Sequence, residues 1–398
     1  MSNSKPLTHI IGTFLISGKG AFLNSPGTVD GVTVPKTYYT LDDRGKQVKV
    51  PYVSAQAWKR WLRETFKEEN PVEPKAVIKV LQVDEKKHTP KKIGTDMDPI
   101  IYAEDDIFGY MKTLKGGDEE GSEGEASSEE DAEKTEQSVD SSSEIITAKP
   151  VIRTSPLQAS ILTSIRKIAA RTEDIGWVHP GGASDEIIQS NIEYTTDSLG
   201  YTTEFYDTNL QGIFGLAYHR LGVFRNEGDR IELDVELEKK YSKEQKIRKT
   251  ADAGARRIYE LVENHRKDRA TKILKALAVM RGGAKQTAFA DPVHPQVIIM
   301  AGLSCGNLIF NNLFRDTVDG PEINIAALEE ILNDFKDRIT TPVYIGIRTG
   351  YLNPTNEKKL NEKVPNAQEE KKWNVDGLDV VITTPINAVE QFTQQLPA

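Results

Sequence analysis

Cysteine is almost absent from the chain, since Cys305 is the only one among 398 residues. A disulfide framework and a cysteine-based zinc site are therefore excluded, and an intracellular, cytoplasmic location is expected. No stretch approaches about 18 consecutive apolar residues, so the sequence predicts neither a transmembrane helix nor a membrane partner. The apolar run at 10–16 lacks the basic flank and the cleavage site of a secretory signal, and it is interpreted as a strand.

Sequence signatures of catalysis are also scarce. The six histidines stand apart and form neither a His-x-x-x-His pair nor a cysteine–histidine cluster. The segments 179–182 and 304–306 come nearest to active-site loops, and both are interpreted as structural. We therefore expect no catalytic residue, no cofactor and no metal. A metal-free ribonuclease could work with one histidine and a lysine or tyrosine, so RNA cleavage stays an alternative.

The net charge of −9 argues at first sight against a nucleic-acid partner, but the charge is unevenly distributed. Residues 116–144 carry 12 acids and one base, a net charge of −11, which leaves +2 for the rest of the chain. A basic groove is therefore compatible with the composition. The acidic segment has no aromatic residue and too little apolar surface to fold, so 113–148 is expected to be a flexible acidic insertion. An acidic patch that repels or mimics nucleic acid is the alternative.

Hydrophobic periodicity outlines an α+β chain. Strands are predicted at 8–17, 76–83, 296–303, 343–347 and 378–383, and hairpins at 32–50 and around 198–200, the latter followed by a strand at 211–223. Helices are predicted from Ser54, at 102–112, at 244–280 (the longest) and at 325–339, while 17–27 and 351–373 are expected to be loops and the tail 388–398 is short and polar. The first strand, the C-terminal strands and the helix at 325 fit a split βαβ, ferredoxin-like core, a fold that often binds RNA.

The helix that begins after Ser54, a good N-cap, has two distinct faces. Trp58, Trp61 and Leu62 form one apolar stripe, which we assign to the core. The polar positions are Gln56, Lys59, Arg60 and Arg63. Cations and an amide at this spacing suit the phosphates of a polyanion, and a solvated amphipathic helix is the alternative.

Two glycine-rich segments could bring backbone amides close to an anion. The segment 17–27 contains Lys19 and Asn24, which could lie near phosphate or sugar, and an ordinary connection between strands is the alternative. The segment 281–286 places Lys285 and Gln286 after a glycine pair, and a helix C-cap explains this pattern as well. Tyrosines and phenylalanines of the 191–224 region could stack on bases or simply pack across strands.

Three of these stretches, in this order, resemble the Cas-seven family of RAMP proteins, the crRNA-binding backbone subunits of type I CRISPR effector complexes (Cascade). Residues 54–63 resemble that family's Ser-x-Gln-x-x-Lys-Arg-x-x-Arg helix, 20–24 its loop after the first strand, and 283–289 its Gly-Ala-Lys-Gln segment. Residues 153–157 and 201–224 are similar to the Cst or DevR branch of type I-B systems.

The resemblance implies a hand-like fold with a modified RRM palm, helical finger insertions and a β-hairpin thumb. The palm would comprise 1–112 and 281–398, and 149–280 would carry fingers, thumb and the long helix. Copies would stack along the crRNA, each gripping its backbone while a neighbour's thumb kinks the guide. The expected partners are crRNA, the target DNA strand paired to it, neighbouring copies and other Cascade subunits.

The resemblance also implies which residues bind RNA. They are, in chain order, Lys19, Asn24, Ser54, Gln56, Lys59, Arg60, Arg63, Lys285 and Gln286. Thumb residues would be Tyr201, Phe205 and Tyr206. The acidic insertion would lie away from the RNA, because its charge repels phosphates. Two other hypotheses stay open, namely an endoribonuclease of the same superfamily that processes CRISPR RNA, and a regulatory protein with a RAMP-like fold.

Overall fold

The computed structural model describes residues 5–42, 44–77, 79–84, 89–94, 96–112, 150–166, 170–178, 199–254, 256–262, 265–364 and 372–397. Its strands are β1 (His9–Ala21), β2 (Gly27–Val29), β3 (Val32–Val34), β4 (Thr37–Leu41), β5 (Gln47–Val53), β6 (Lys79–Asp84), β7 (Thr89–Gly94), β8 (Tyr110–Lys112), β9 (Val151–Arg153), β10 (Leu157–Ala159), β11 (Leu162–Ser164), β12 (Ala170–Val178), β13 (Leu199–Leu216), β14 (Val223–Glu227), β15 (Arg230–Ile231), β16 (Ile247–Ala253), β17 (Arg256–Leu261), β18 (Val297–Leu303), β19 (Phe314–Thr317), β20 (Gly320–Ile323), β21 (Val343–Ile347), β22 (Lys372–Val375) and β23 (Leu378–Thr383). Its α-helices are α1 (Ala55–Glu69), α2 (Ala103–Phe108), α3 (Val235–Lys243), α4 (Arg266–Ala278), α5 (Gln286–Phe289), α6 (Ile325–Phe335), α7 (Pro354–Glu362) and α8 (Pro385–Gln394). The predicted acidic insertion at 113–148 lies outside the described residues.

β1 is the central strand of a large mixed sheet. It pairs antiparallel with β13, where Thr13 faces Ile213, and with β18, where Thr13 faces Ile299. Beyond β18 the sheet continues through β21 and β23 to β22, and beyond β13 it continues through β11 and β5 to β4. The predicted α+β class is confirmed, with the first strand and the C-terminal strands in one sheet.

Alternate residues of β1 face two hydrophobic cores, because helices cover both sides of the sheet. Ile10 and Phe14 belong to a core that includes side chains of α1, α4 and α8. Ile11 and Leu15 belong to a second core, which includes side chains of α6 and α7. This burial on both faces explains why β1 reads as a nearly continuous apolar run.

Gly12 is expected to tolerate no side chain. A Cβ built there would lie 2.4 Å from the ring of Phe214 and 2.9 Å from the carbonyl oxygen of Ile299. Gly12→Ala should therefore lower the free energy of unfolding by about 1–3 kcal/mol, the usual cost of overpacking a core. Denaturant unfolding would measure this, with Ser17→Ala on the same strand as the control. Equal stability of the two variants would contradict the expectation.

A second sheet, ordered β16-β17-β14-β15-β9-β8, has its own core. Phe224, Tyr241 and Tyr259 are buried in it. α3 packs against β16 of this sheet. Asp234 caps the N-terminus of α3 by accepting a hydrogen bond 2.9 Å long from the backbone N–H of Glu236. This sheet is composed of segments on both sides of the acidic insertion, since β8 precedes it and β9 follows it.

A buried network of charges links the second sheet to α2 and α4. Asp106 on α2 is paired with Arg153 of β9 and, at 2.6 Å, with Arg269 of α4. Arg153 also donates at 2.9 Å to Glu232, and these four side chains are at most 5% exposed. Burial alone would raise the pKa of Asp106, but Arg153 and Arg269 outweigh it and hold the pKa below its ordinary value.

The prediction of a helix at 244–280 is wrong for the first half of that range. The chain forms the hairpin β16–β17, which turns at Gly254 with φ +61°, and α4 begins only at Arg266. Within β17 the buried residues Tyr259 and Leu261 alternate with less buried ones, as expected for a strand. The prediction missed this period because apolar residues in this region also recur at spacings of 3–4 residues, which are typical of a helix.

The aromatic hairpin is also rearranged relative to the prediction. β13 runs unbroken for 18 residues and needs no separate strand at 211, while its predicted partner before residue 199 lies outside the described residues. Its N-terminal half pairs with β12, where Glu173 faces Glu204, and its C-terminal half pairs with β1. One long strand therefore belongs both to the β12–β13 ribbon and to the part of the sheet built on β1.

Smaller differences concern where elements end. β1 extends to Ala21, so only the second half of the predicted loop 17–27 is irregular. The helix predicted at 102–112 ends at Phe108 because Gly109 has φ +75° and leads into β8. Helix α7 replaces predicted loop, and α8 was not predicted from the short polar tail. Each begins at a proline preceded by a polar cap, Asn353 and Thr384. Pro after a capping residue is a start signal that the polar composition outweighed in the sequence analysis.

Candidate nucleic-acid interface

The segment that follows β1 is fixed to the distant segment 284–291 by backbone hydrogen bonds. The carbonyl of Leu23 accepts from the N–H of Ala284 at 2.8 Å, and the N–H of Phe22 donates to the Asp291 carboxylate at 3.1 Å. The carbonyl of Asn24 accepts from Lys36 at 3.2 Å. Two glycine-rich segments that the sequence analysis treated separately therefore form one structure.

The glycine pair lets this structure pack closely on its neighbours. A Cβ at Gly282 would lie 2.3 Å from Cγ of Trp61, and one at Gly283 would lie 2.3 Å from Nε2 of Gln286. Both glycines have positive φ, and so does Lys285 at +48°. Left-handed backbone at a residue with a side chain is strained and is concentrated at functional sites in proteins.

Lys285 places its ammonium group over aromatic rings, one of which, Tyr201, belongs to the β12–β13 ribbon. Its Nζ donates to the Thr203 hydroxyl at 2.6 Å and lies 5.2 Å from the ring centre of Phe22 and 5.8 Å from that of Tyr201. The residue is exposed and forms no ion pair with another described residue. Its charge is therefore held in place by neutral groups, which leaves it available to an anion.

Aromatic side chains pack against one another next to the ammonium group of Lys285. The ring of Phe289 stacks on Phe22 and leans on Phe205, with both pairs of ring centres 5.8 Å apart. Tyr201 is 40% exposed, whereas Tyr206, on the opposite face of β13, is buried in the core, where burial raises its pKa. We call residues 22–24, 282–289 and the Tyr201, Thr203 and Phe205 face of β13 the glycine-loop site.

Three polar side-chain atoms of the glycine-loop site have no hydrogen-bond partner among the described residues. They are Oδ1 and Nδ2 of Asn24 and Nε2 of Gln286. Asn24 is only 8% exposed. A buried amide without partners is costly and uncommon in proteins, so it calls for a physical explanation.

The helix α1 is capped and buried as the sequence predicts. The Ser54 hydroxyl accepts from the N–H of Ala57, and Trp58 is fully buried, donating through Nε1 to the Ser160 carbonyl at 2.7 Å. Trp61 is half-buried against Gly282. The assignment of Trp58 to the core is confirmed, and Trp61 packs against that core. Ser54 is used in capping its own helix.

The polar row of α1 is divided between internal contacts and the surface. Lys59 donates at 3.0 Å to both the Ser155 hydroxyl and the Leu157 carbonyl. Burial lowers the pKa of Lys59, and the nearby positive charge of Arg63 lowers it further. Arg63 pairs with Glu104 at 3.0 Å and lies over the ring of Phe108. Both side chains are thus held by α2 and the segment that follows β9.

Besides Lys285, the exposed members of the predicted RNA-binding set are Gln56 and Arg60 on α1 and Lys19 near the end of β1. Neither cation forms an ion pair within the part of the chain that the structure describes. The structure therefore brings Asn24, Lys285, Gln286, Tyr201 and Phe205 into one site. It joins α1 to that site through Trp61, but directs Lys59 and Arg63 elsewhere.

Sequence reasoning did not assign a role to Thr203, Phe289 or Asp291, which organise the glycine-loop site. Phe289 is the last residue of the motif at 283–289, and its fixed position after Lys285 in that motif could have pointed to it. Thr203 lies between Tyr201 and Phe205 on one face of a strand, so alternation along β13 would have pointed to it. No local sequence pattern indicates Asp291. Burial raises the pKa of its carboxyl group, although the hydrogen bond from the Phe22 N–H acts in the opposite direction.

One described segment has the residue spacing of a hydrolase nucleophile turn. Gly302–Gly306 has the Gly-x-Ser-x-Gly spacing, which the sequence analysis overlooked, but this chain segment leads from β18 into coil rather than into a helix. The Ser304 hydroxyl donates to the Arg338 carbonyl at 3.2 Å. No group of three or more metal-ligating side chains occurs among the described residues. In the same residues, every helix is too short or too polar to cross a bilayer.

Comparisons with known proteins find structural likeness only. No protein-family model and no curated protein matches the sequence. A chain of a CRISPR RNA-guided surveillance complex, pre-nicking, is 12% identical, with 98% of this chain and 100% of that one covered and a TM-score of 0.47. A chain of another CRISPR RNA-guided surveillance complex is 12% identical over 97% and 99%, with a TM-score of 0.41. A chain of the Type III-B Cmr-beta bound to cognate target RNA is 11% identical over 54% and 49%, with a TM-score of 0.24.

Proposed function

We propose that this chain is a non-catalytic, guide-RNA-binding backbone subunit of a type I CRISPR effector complex. The observation that carries the proposal is that three motifs of the family resemblance, far apart in sequence, meet in space. Leu23 bonds to Ala284 at 2.8 Å, and Trp61 of α1 packs on Gly282. Short motifs that matched by chance would have no reason to converge on one site.

The exposed cations of the predicted set support recognition of a nucleic-acid backbone rather than of a base sequence. Lys285, Arg60 and Lys19 are exposed cations without ion-pair partners among the described residues. Cations of this kind neutralise phosphates whatever the sequence, which is what a scaffold for changing guides requires. Tyr201 and Phe205, on one face of β13 in the β12–β13 ribbon, supply the aromatic surface of the proposed thumb.

Lys59 and Arg63 contribute differently in this proposal. To reach a phosphate, Lys59 would leave two oxygens at 3.0 Å, and Arg63 would leave Glu104. We therefore assign the larger share of phosphate binding to Lys285 and Arg60. Lys59 and Arg63 hold α1 in position and stay secondary candidates for direct contact.

The proposed partners are crRNA, the target DNA strand that pairs with it, further copies of this chain along the guide, and other Cascade subunits. Copies would follow one another at a regular spacing, with each β12–β13 ribbon reaching the next copy. Binding would depend on RNA length in steps, one step for each copy added.

Co-expression with a CRISPR array tests this proposal. The protein is expected to purify with RNA of guide length as an oligomer, and to leave repeat RNA uncleaved. Gel filtration with absorbance at two wavelengths and sequencing of the extracted RNA would measure the first, and gel analysis of labelled repeat RNA the second. Specific cleavage abolished by one histidine or lysine substitution would favour the ribonuclease alternative. Purification as an RNA-free monomer would favour a regulatory protein.

A further inference from the structure

The unpartnered amides of the glycine-loop site have a pattern that a phosphate cannot satisfy. Asn24 presents both an acceptor, Oδ1, and a donor, Nδ2, and Gln286 adds a second donor, Nε2. Because both amide atoms of Asn24 lack partners among the described residues, this conclusion holds whichever way the amide is oriented. A phosphate oxygen accepts hydrogen bonds but donates none, so Oδ1 would stay unsatisfied beside it.

We propose that Asn24 and Gln286 bind the 2′-hydroxyl of a guide nucleotide, an inference that rests on the proposed RNA-binding function. A hydroxyl donates one hydrogen bond and accepts others, which matches one acceptor and two donors. The 2′-hydroxyl is also the group by which a protein distinguishes RNA from DNA at a given position. The site therefore selects RNA while Lys285 neutralises the neighbouring phosphate.

The position of the amides supports a sugar contact over a base contact. Gln286 follows Lys285 directly, and Leu23, next to Asn24, lies against Gly283 on the same turn. Within a nucleotide the 2′-hydroxyl is adjacent to the 3′-phosphate, so a phosphate at Lys285 brings a ribose to this turn. A base edge also donates and accepts, but it changes with sequence, and a fixed amide pair would then favour certain guides.

Burial makes the contact selective. Each unpartnered amide atom is enclosed and loses its hydration without compensation, so the ligand-free site is destabilised there. A 2′-hydroxyl that enters restores the missing hydrogen bonds, whereas deoxyribose leaves them unmade. The side chains of Asn24 and Gln286 would turn toward the ribose, while the backbone of 22–24 keeps its hydrogen bonds to 284–291.

The test compares four single-stranded oligonucleotides of one sequence, made of RNA, DNA, 2′-fluoro RNA or 2′-O-methyl RNA, on the full-length protein stripped of bound nucleic acid. The 2′-fluoro oligonucleotide is the sharpest probe, because it keeps the RNA-like sugar shape and small size but cannot donate. We expect it to bind about tenfold more weakly than RNA, as for one buried hydrogen-bonding group left unpaired. This comparison needs no protein variant, so it holds even where a substitution disturbs folding.

Two variants locate the effect. Asn24→Ala is expected to reduce the RNA to 2′-fluoro ratio to about one by lowering RNA affinity alone. Gln286→Met, which keeps length but removes the donor, should reduce the ratio partly. Asn374→Ala on β22 serves as the matched control and should leave the ratio unchanged.

Several outcomes would overturn the inference. These are equal binding of all four oligonucleotides by the unaltered protein, an equal loss for all four in Asn24→Ala, or a ratio that changes when the base sequence is changed. Each of them leaves the proposed RNA-binding function intact. Failure to bind any of the four would overturn the proposed function and this inference with it.

Discussion

Replacing Lys285 and Arg60 together by alanine is expected to weaken RNA binding by about ten- to a hundredfold at physiological salt. Both are exposed cations without ion-pair partners among the described residues, so nothing within that part of the protein compensates for their loss. Each phosphate contact on a single strand contributes about 0.7 to the slope of log affinity against log salt concentration. The double variant should therefore reduce that slope by about 1.4, measured by fluorescence anisotropy over a salt series.

The loss should be similar for unrelated RNA sequences, because phosphates carry no sequence information. Lys358→Ala is the matched control, since Lys358 is 78% exposed on α7 and its weak pair with Glu362 spans 3.9 Å. Lys59→Ala with Arg63→Ala should change the salt slope less than the first pair, because both side chains already bind internal oxygens. An unchanged salt slope in the Lys285 and Arg60 variant would exclude these residues from the interface.

Asp106→Asn is expected to lower the free energy of unfolding by about 3–5 kcal/mol at pH 7. The substitution removes the carboxylate between Arg153 and Arg269 and leaves two buried guanidinium groups with less compensation. It also weakens an acceptor for the N–H of Gly222, which bonds to Asp106 at 2.9 Å. Denaturant unfolding followed by circular dichroism would measure the change.

The matched control is Asp252→Asn in the same sheet as Arg153. Asp252 is 61% exposed and pairs with Lys249 three residues before it, an arrangement that contributes at most about 1 kcal/mol. A loss at Asp106 no larger than at Asp252 would mean that the buried network does not hold the second sheet to α2 and α4.

The effect of Asp106→Asn should depend on pH in one direction. Arg153 and Arg269 hold the folded-state pKa below the ordinary value of 3.8, despite the opposing effect of burial. The stabilisation is therefore complete above the unfolded-state pKa and is lost as the pH falls through the folded-state pKa. The difference between the unaltered protein and the variant should be constant from pH 7 to pH 5 and should shrink below about pH 4.

Local patterns were sufficient where an element carries its own signals. Ser54 caps α1 and its apolar residues recur at helical spacing, so both the helix and its buried tryptophans were predicted from sequence. The same holds for β18, an unbroken apolar run. They failed at β16 and β17, where short apolar spacings fit either a helix or a strand and the turn at Gly254 decides between them.

Sequence alone determined the α+β class, the acidic composition of 113–148 and the residue types of the candidate site. Only the tertiary structure decided which of those residues share a site, because their convergence depends on contacts between segments 82 to 269 residues apart. The hydrogen bond from Ala284 to Leu23 unites two loops, and the pair of Arg63 with Glu104 removes one predicted contact from the surface. In a sequence, every lysine or arginine offers the same positive charge whatever its position. Whether it meets a phosphate or a buried carboxylate is decided by the neighbours that folding gives it.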